Sequence, residues 1–200
     1  MGRLIKKLLF AASPALVLGA FIVVVDPFNY FRISRVISDA TKRQNVYDIN
    51  PVLWDTFSFL REPCPNIVIG DSRAQLIPVD YLARITGMPH KRLTATAAKI
   101  NEIVDYFWFA DSRVKLEKVY IVVNFNMFNY FAFANRVEGA VAAIRNPFLY
   151  VYDRSVMHAA WLVTRAALQG RKDGPVRTRM SKDEFWAWAL KALSHQQYGK

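Results

Sequence analysis

Cysteine is all but missing from this 200-residue chain: Cys64 stands alone, so no internal disulfide can form and the redox state of the compartment leaves no mark on the sequence. Histidine is nearly as scarce. His90, His158 and His195 are scattered, and with one cysteine they offer no ligand spacing for zinc, so neither a metal nor a cofactor is expected. Acidic residues are outnumbered, 16 against 27 lysines and arginines, which leaves a formal net charge of +11. No nucleic-acid motif accompanies that excess, and nucleic acid is not expected as a partner. Internal repeats and low-complexity tracts are also lacking.

What is present begins at the N-terminus. Arg3, Lys6 and Lys7 precede an uncharged stretch from Leu8 to Val25, 18 residues long, that stops at Asp26. As a helix it would extend roughly 27 Å, close to a hydrocarbon core of about 30 Å. The basic flank places the N-terminus in the cytoplasm under the positive-inside tendency. The expectation is therefore a short cytoplasmic tail (1–7), a transmembrane anchor (8–25) and a remainder on the extracytoplasmic side. The bilayer is then its first partner. A cleaved signal peptide shares the basic start and apolar run, but this run is long for one and lacks a small-x-small exit; a buried core helix is the third reading, disfavoured by the length and the extreme N-terminal position.

Residues 26–65 read as an irregular juxtamembrane connector with interfacial aromatics at Phe28, Tyr30 and Phe31, and a short helix around Trp54, Phe57, Phe59 and Leu60. The domain proper is expected over 66–200. Asn66–Gly70 is a β-branched run closed by glycine and predicts a buried strand, Lys91–Thr94 a weaker one, and Lys118–Val123 the clearest. Helical patterns lie between and after them: from Gly70 to about Ile85, Lys99–Ala110, Val137–Ile144, Ser155–Gln169 and Lys182–His195. Trp186 and Trp188, two apart on the last, face different directions. Strands alternating with helices predict an α/β fold with a mostly parallel sheet. Arg171, Lys172, Arg177, Arg179 and Lys182 against the single acid Asp173 form a basic loop. It suits anionic lipid, an anionic polysaccharide or another envelope component, or else it is a solvated linker.

One stretch could carry chemistry. Gly70-Asp71-Ser72-Arg73 follows the first strand, so Ser72 falls at a strand's carboxyl end, where open α/β sheets collect ligands. A helix starting there would aim backbone N–H groups at developing negative charge; the plainer reading makes Asp71 or Ser72 a helix N-cap. Phe125, Phe128, Tyr130, Phe131 and Phe133 read as core, with a sugar-lining cleft as the alternative.

Asn66-Ile-Val-Ile-Gly-Asp-Ser-Arg-Ala74 resembles the first block of the SGNH (GDSL-type) hydrolase superfamily. With the anchor ending in Asp-Pro-Phe-Asn-Tyr and a strand running into Asn124-Phe-Asn-Met-Phe128, the chain is similar to a membrane-anchored bacterial branch that acylates cell-envelope polysaccharides. The resemblance implies a three-layer, flavodoxin-like fold and an acyl-ester hydrolase or O-acyltransferase on the periplasmic side of the inner membrane. It makes Ser72 the nucleophile and an oxyanion donor through its N–H, and Asn124 a further donor with Asn126 second. Asp71 and Arg73 fall to substrate binding. The family's second block offers a glycine where this chain reads Leu93-Thr-Ala-Thr-Ala-Ala98. Its Asp-x-x-His block, which supplies the base a serine needs, has no counterpart. The expectation is a domain truncated before that block and inactive as it stands; a full-length relative without the base and a misleading resemblance are the alternatives. A non-catalytic, membrane-anchored interaction protein is the competing class.

Overall fold

The structure is a computed structural model that describes residues 2–33, 36–128 and 135–169. The basic loop Arg171–Lys182, the helix expected from Lys182 with Trp186, Trp188 and His195, and Tyr130, Phe131 and Phe133 all lie outside these residues.

Ile67, Val68 and Ile69 are fully buried in strand β1 (Asn66–Gly70), as expected of a strand covered on both faces. Parallel neighbours flank it, β2 (Lys91–Thr94) and β3 (Lys118–Val122), in the order β2-β1-β3. Gly70 pairs with Thr94 on one side and Val122 on the other, so the carboxyl ends of all three strands finish level. This three-stranded parallel sheet sits in a mixed α/β fold that is mainly helical.

Helix α1 (Gly2–Val25) leads into a chain reversal that the sequence did not announce. Asp26, Asn29 and Arg32 all have positive φ, 43°, 56° and 53°. The strain is met by the Asp26 carboxylate, whose Oδ1 accepts the Tyr30 N–H (2.7 Å) and the Tyr150 hydroxyl (3.1 Å) and whose Oδ2 accepts the Arg32 N–H (2.7 Å). Asn29 receives the Lys42 ammonium at 2.8 Å and donates to Asp39 at 2.8 Å, while Arg61 donates to the Asn29 carbonyl at 2.7 Å. Asp26, Phe28, Asn29 and Lys42 are all buried.

The expected irregular connector therefore corrects to an ordered, half-buried unit. It holds α2 (Asp39–Val46), N-capped by Ser38, and α3 (Pro51–Arg61), N-capped by Asn50. Helix α3 places Val52, Leu53, Thr56, Phe57 and Phe59 inside and covers β2.

The segment after Gly70 is also not one helix. A single 3₁₀ turn spans Ala74–Leu76 before α4 (Val79–Thr86). Pro78 separates them, because its ring forces the preceding Ile77 into an extended conformation (φ −74°, ψ 117°). Helix α5 (Ile100–Asp111) buries Ile103, Tyr106, Phe109 and Ala110, and α6 (Arg136–Arg145) packs on both α3 and α5.

Helix α7 (Pro147–Val151) turns the chain into α8 (Arg154–Leu168). Val156, Ala159, Ala160, Val163 and Ala166 form the buried stripe of α8, which lies on α2 and α1. Among the described residues, no helix is long and apolar enough to cross a membrane, so the transmembrane anchor expected over 8–25 is not found there.

Candidate active site

Gly70 is where the site begins. A Cβ there would meet the Ala74 Cβ at 2.7 Å and the Val122 Cβ at 2.9 Å, so only glycine lets the strand pass this close to its neighbours. The chain then turns through Asp71, closed by the Ala74 N–H on the Asp71 carbonyl at 3.0 Å. Buried Asp71 accepts the Arg73 N–H on Oδ1 at 2.9 Å and the Asn124 amide on Oδ2 at 2.5 Å. Both carboxylate oxygens are thus spent on shaping the site. Ser72 is exposed, and its hydroxyl bonds to no described residue. Arg73 is 57 % exposed with its guanidinium 4.0 Å from Asp71.

Asn124 arrives from the end of β3 on the far side of the turn. Its Oδ1 accepts the Asn126 N–H at 2.8 Å, so the side chain is gripped at both ends. An amide carries two N–H bonds and one goes to Asp71, which leaves the second to serve a ligand. The third wall comes from β2. Ala95 donates its N–H to the Gly70 carbonyl at 3.1 Å, and the loop then curls with Ala97 at φ 52°.

Asp71–Arg73, Thr96–Lys99, Asn124 and Asn126 enclose a cavity of about 200 Å³. The structure thus brings Ser72, Asn124, Asp71 and Arg73, and the secondary candidate Asn126, to one place. The resemblance pointed to the loop within Leu93–Ala98, but sequence reasoning assigned no site residue there; the structure makes Thr96–Lys99 a wall, as its position after a strand parallel to β1 would suggest. Phe125 and Phe128, expected in the core, are instead 91 % and 59 % exposed beside it. The helix expected to aim N–H groups at Ser72 is only the 3₁₀ turn, too short to act as a dipole.

Behind the loop lies an ionic brace. Glu102 is fully buried, and its carboxylate accepts the Arg136 N–H, Nε and Nη2 within 3.0 Å as well as the Lys99 N–H at 3.1 Å. Burial pushes the Glu102 carboxyl up, but Arg136 and the backbone donors outweigh it and hold it below the ordinary value. Arg136 also donates to the Thr96 carbonyl at 2.8 Å, so the brace grips the loop directly. A second carboxylate, Asp55 on α3, accepts the Thr94 N–H and hydroxyl at the end of β2. Its burial raises the carboxyl to about 7, with the Thr94 bonds opposing.

A base for Ser72 is not found among the described histidines. His90 precedes β2 at the opposite end of the sheet, bonded to the Met88 carbonyl and 5.7 Å from the Tyr120 ring. His158 borders a separate depression with Ile49 and Asp153–Ser155. There the Asp153 carboxylate accepts Ser155, as the N-cap of α8, so these three residues do not form a triad. No metal-binding cluster occurs among the described residues. Comparison with protein-family models, with curated proteins and with solved structures finds no match to this chain.

Proposed function

We propose that the chain carries the nucleophile and oxyanion side of an SGNH-type acyl-transfer site, on a three-layer α/β domain that α1 tethers to the outer face of a bacterial cytoplasmic membrane. The substrate is an acyl ester of a cell-envelope polysaccharide. One observation supports this above the rest: a serine after β1, a loop after β2 and an asparagine after β3 meet in one cavity at the level carboxyl ends of a parallel sheet.

In the proposed reaction the Ser72 hydroxyl attacks the ester carbonyl. The oxygen of the tetrahedral intermediate takes hydrogen bonds from the Ser72 N–H and the free N–H of Asn124. Collapse expels the alcohol with the serine proton and leaves an acyl-serine, which water or a sugar hydroxyl then cleaves. Asp71 positions Asn124, and exposed Arg73 meets an acidic or hydroxyl-rich substrate at the rim. Serine attack needs a base, and none of the described histidines reaches Ser72, so the described residues by themselves are expected to give little or no turnover. That same observation favours the second reading, a membrane-anchored protein that binds an envelope component without turning it over.

Exogenous imidazole separates the two. With the detergent-solubilised chain and a fluorophosphonate probe, added imidazole is expected to drive labelling of Ser72 that the Ser72→Ala variant does not show. Absence of Ser72-dependent labelling at any imidazole concentration, with the fold intact by circular dichroism, would leave only the binding reading.

A further inference from the structure

We infer that α7 and Tyr152 form a foot that enters the headgroup and upper acyl region of the bilayer beside α1; this rests on the reading of α1 as the membrane anchor. The contact between foot and anchor is close. A Cβ on Gly19 would lie 3.5 Å from Val151, and the Tyr152 hydroxyl donates to the Ala15 carbonyl at 3.2 Å. Gly19 and Ala15 precede the end of α1 at Val25 by six and ten residues, hence by about 9 Å and about 15 Å along the helix. A protein element that meets an anchor this far back from its outer end cannot stand clear of the membrane. Measured from that end the contact lies about 9–15 Å deep, at and below the depth of about 5–10 Å at which interfacial helices rest.

The side chains suit that depth. Helix α7 turns Tyr150 and Val151 into the fold and leaves Phe148 70 % and Leu149 52 % exposed. On α1 itself, Phe21 and Val24 are also exposed near its outer end. The charges are placed to match phosphates over acyl chains: Arg145 ends α6 and Arg154 opens α8, both exposed, bracketing the apolar turn. The acid between them, Asp153, is already engaged as the cap of α8. An apolar tip between two cations fits an anionic bilayer better than a protein groove.

Nitroxide labels on the full chain, in vesicles of phosphatidylethanolamine and phosphatidylglycerol, test the foot. Val17→Cys reports the anchor, Phe148→Cys the foot and Lys115→Cys the exposed loop before β3, each with Cys64 replaced by alanine. Relaxation by oxygen relative to a water-soluble nickel chelate is expected to be several-fold higher at 17 and 148 than at 115. A lipid-like 17 with a water-like 148 overturns the foot and leaves the anchor standing. A water-like 17 overturns the anchor reading, and the foot with it. Should the Cys64 replacement fail to fold, a benzophenone side chain at 148 in the otherwise native chain reads the same question, through photocrosslinking to lipid (expected) or none (overturning).

Discussion

Ala97 sits in a conformation that favours glycine. Its φ of 52° costs an L-residue about 1–2 kcal/mol, and the residue lies in the very loop where the SGNH resemblance leads one to look for glycine. Ala97→Gly is expected to raise stability by about 1 kcal/mol, read as a higher urea midpoint at unchanged slope. Asp55 gives a prediction of opposite character. Its folded-state carboxyl titrates at about 7 against an ordinary 3.8, so between these values the folded chain holds a proton that the unfolded chain has lost. Its contribution is complete below the lower value and is lost as the pH rises through the upper one. Asp55→Asn is therefore expected to gain stability relative to wild type as the pH climbs from 4 to 7. Urea melts at stepped pH check this; a constant difference between the two proteins across that range would refute the assignment.

At the scale of elements, the brace between Glu102 of α5 and Arg136 of α6 sets the shape of the Thr96–Lys99 wall. Removing the cation leaves a buried carboxylate without its main partner, a loss of 3–5 kcal/mol in a dry setting. Because Arg136 is 42 % exposed, water takes part of that role, and Arg136→Ala is expected to cost about 2 kcal/mol. Thermal melts followed by circular dichroism measure it. The elements differ in how plainly the sequence declares them. Strand β1 could be read because it is a short, unbroken β-branched run closed by glycine, buried on both faces, and helix α8 because burial falls on apolar residues with a period of 3.6 from Val156 to Ala166. Helix α2 could not. Its eight residues, Asp-Ala-Thr-Lys-Arg-Gln-Asn-Val, bury Thr41 and Lys42 alongside Val46, and a helix that buries polar side chains has no hydrophobic signature to read. Ser72 and Asn124 were legible because each follows a strand whose end is marked. The wall between them was visible only through the resemblance, since Thr96-Ala-Ala-Lys99 contains no glycine to mark its turn.

At the scale of the whole molecule, the proposed chemistry and the proposed attachment occupy different parts of the structure. The candidate site lies at the carboxyl ends of the strands, while α1 meets α7 and α8. Joining them is the knot around Asp26, Asn29 and Lys42, where burial pushes the Lys42 ammonium down while Asp26 and Asp39 push it up. The knot has a consequence in time as well as in space. Asp26 shares its carboxylate with the Tyr150 hydroxyl, 124 residues further along, and Tyr30 stacks on the same ring at 4.7 Å. A chain synthesised from its N-terminus exposes Asp26 long before Tyr150 has been made. Until then that carboxylate lacks its Tyr150 partner, and the junction behind α1 cannot close in full. Closure of the junction then marks the arrival of α7, so the segment that emerges first after the helix is sealed by one that emerges 124 residues later.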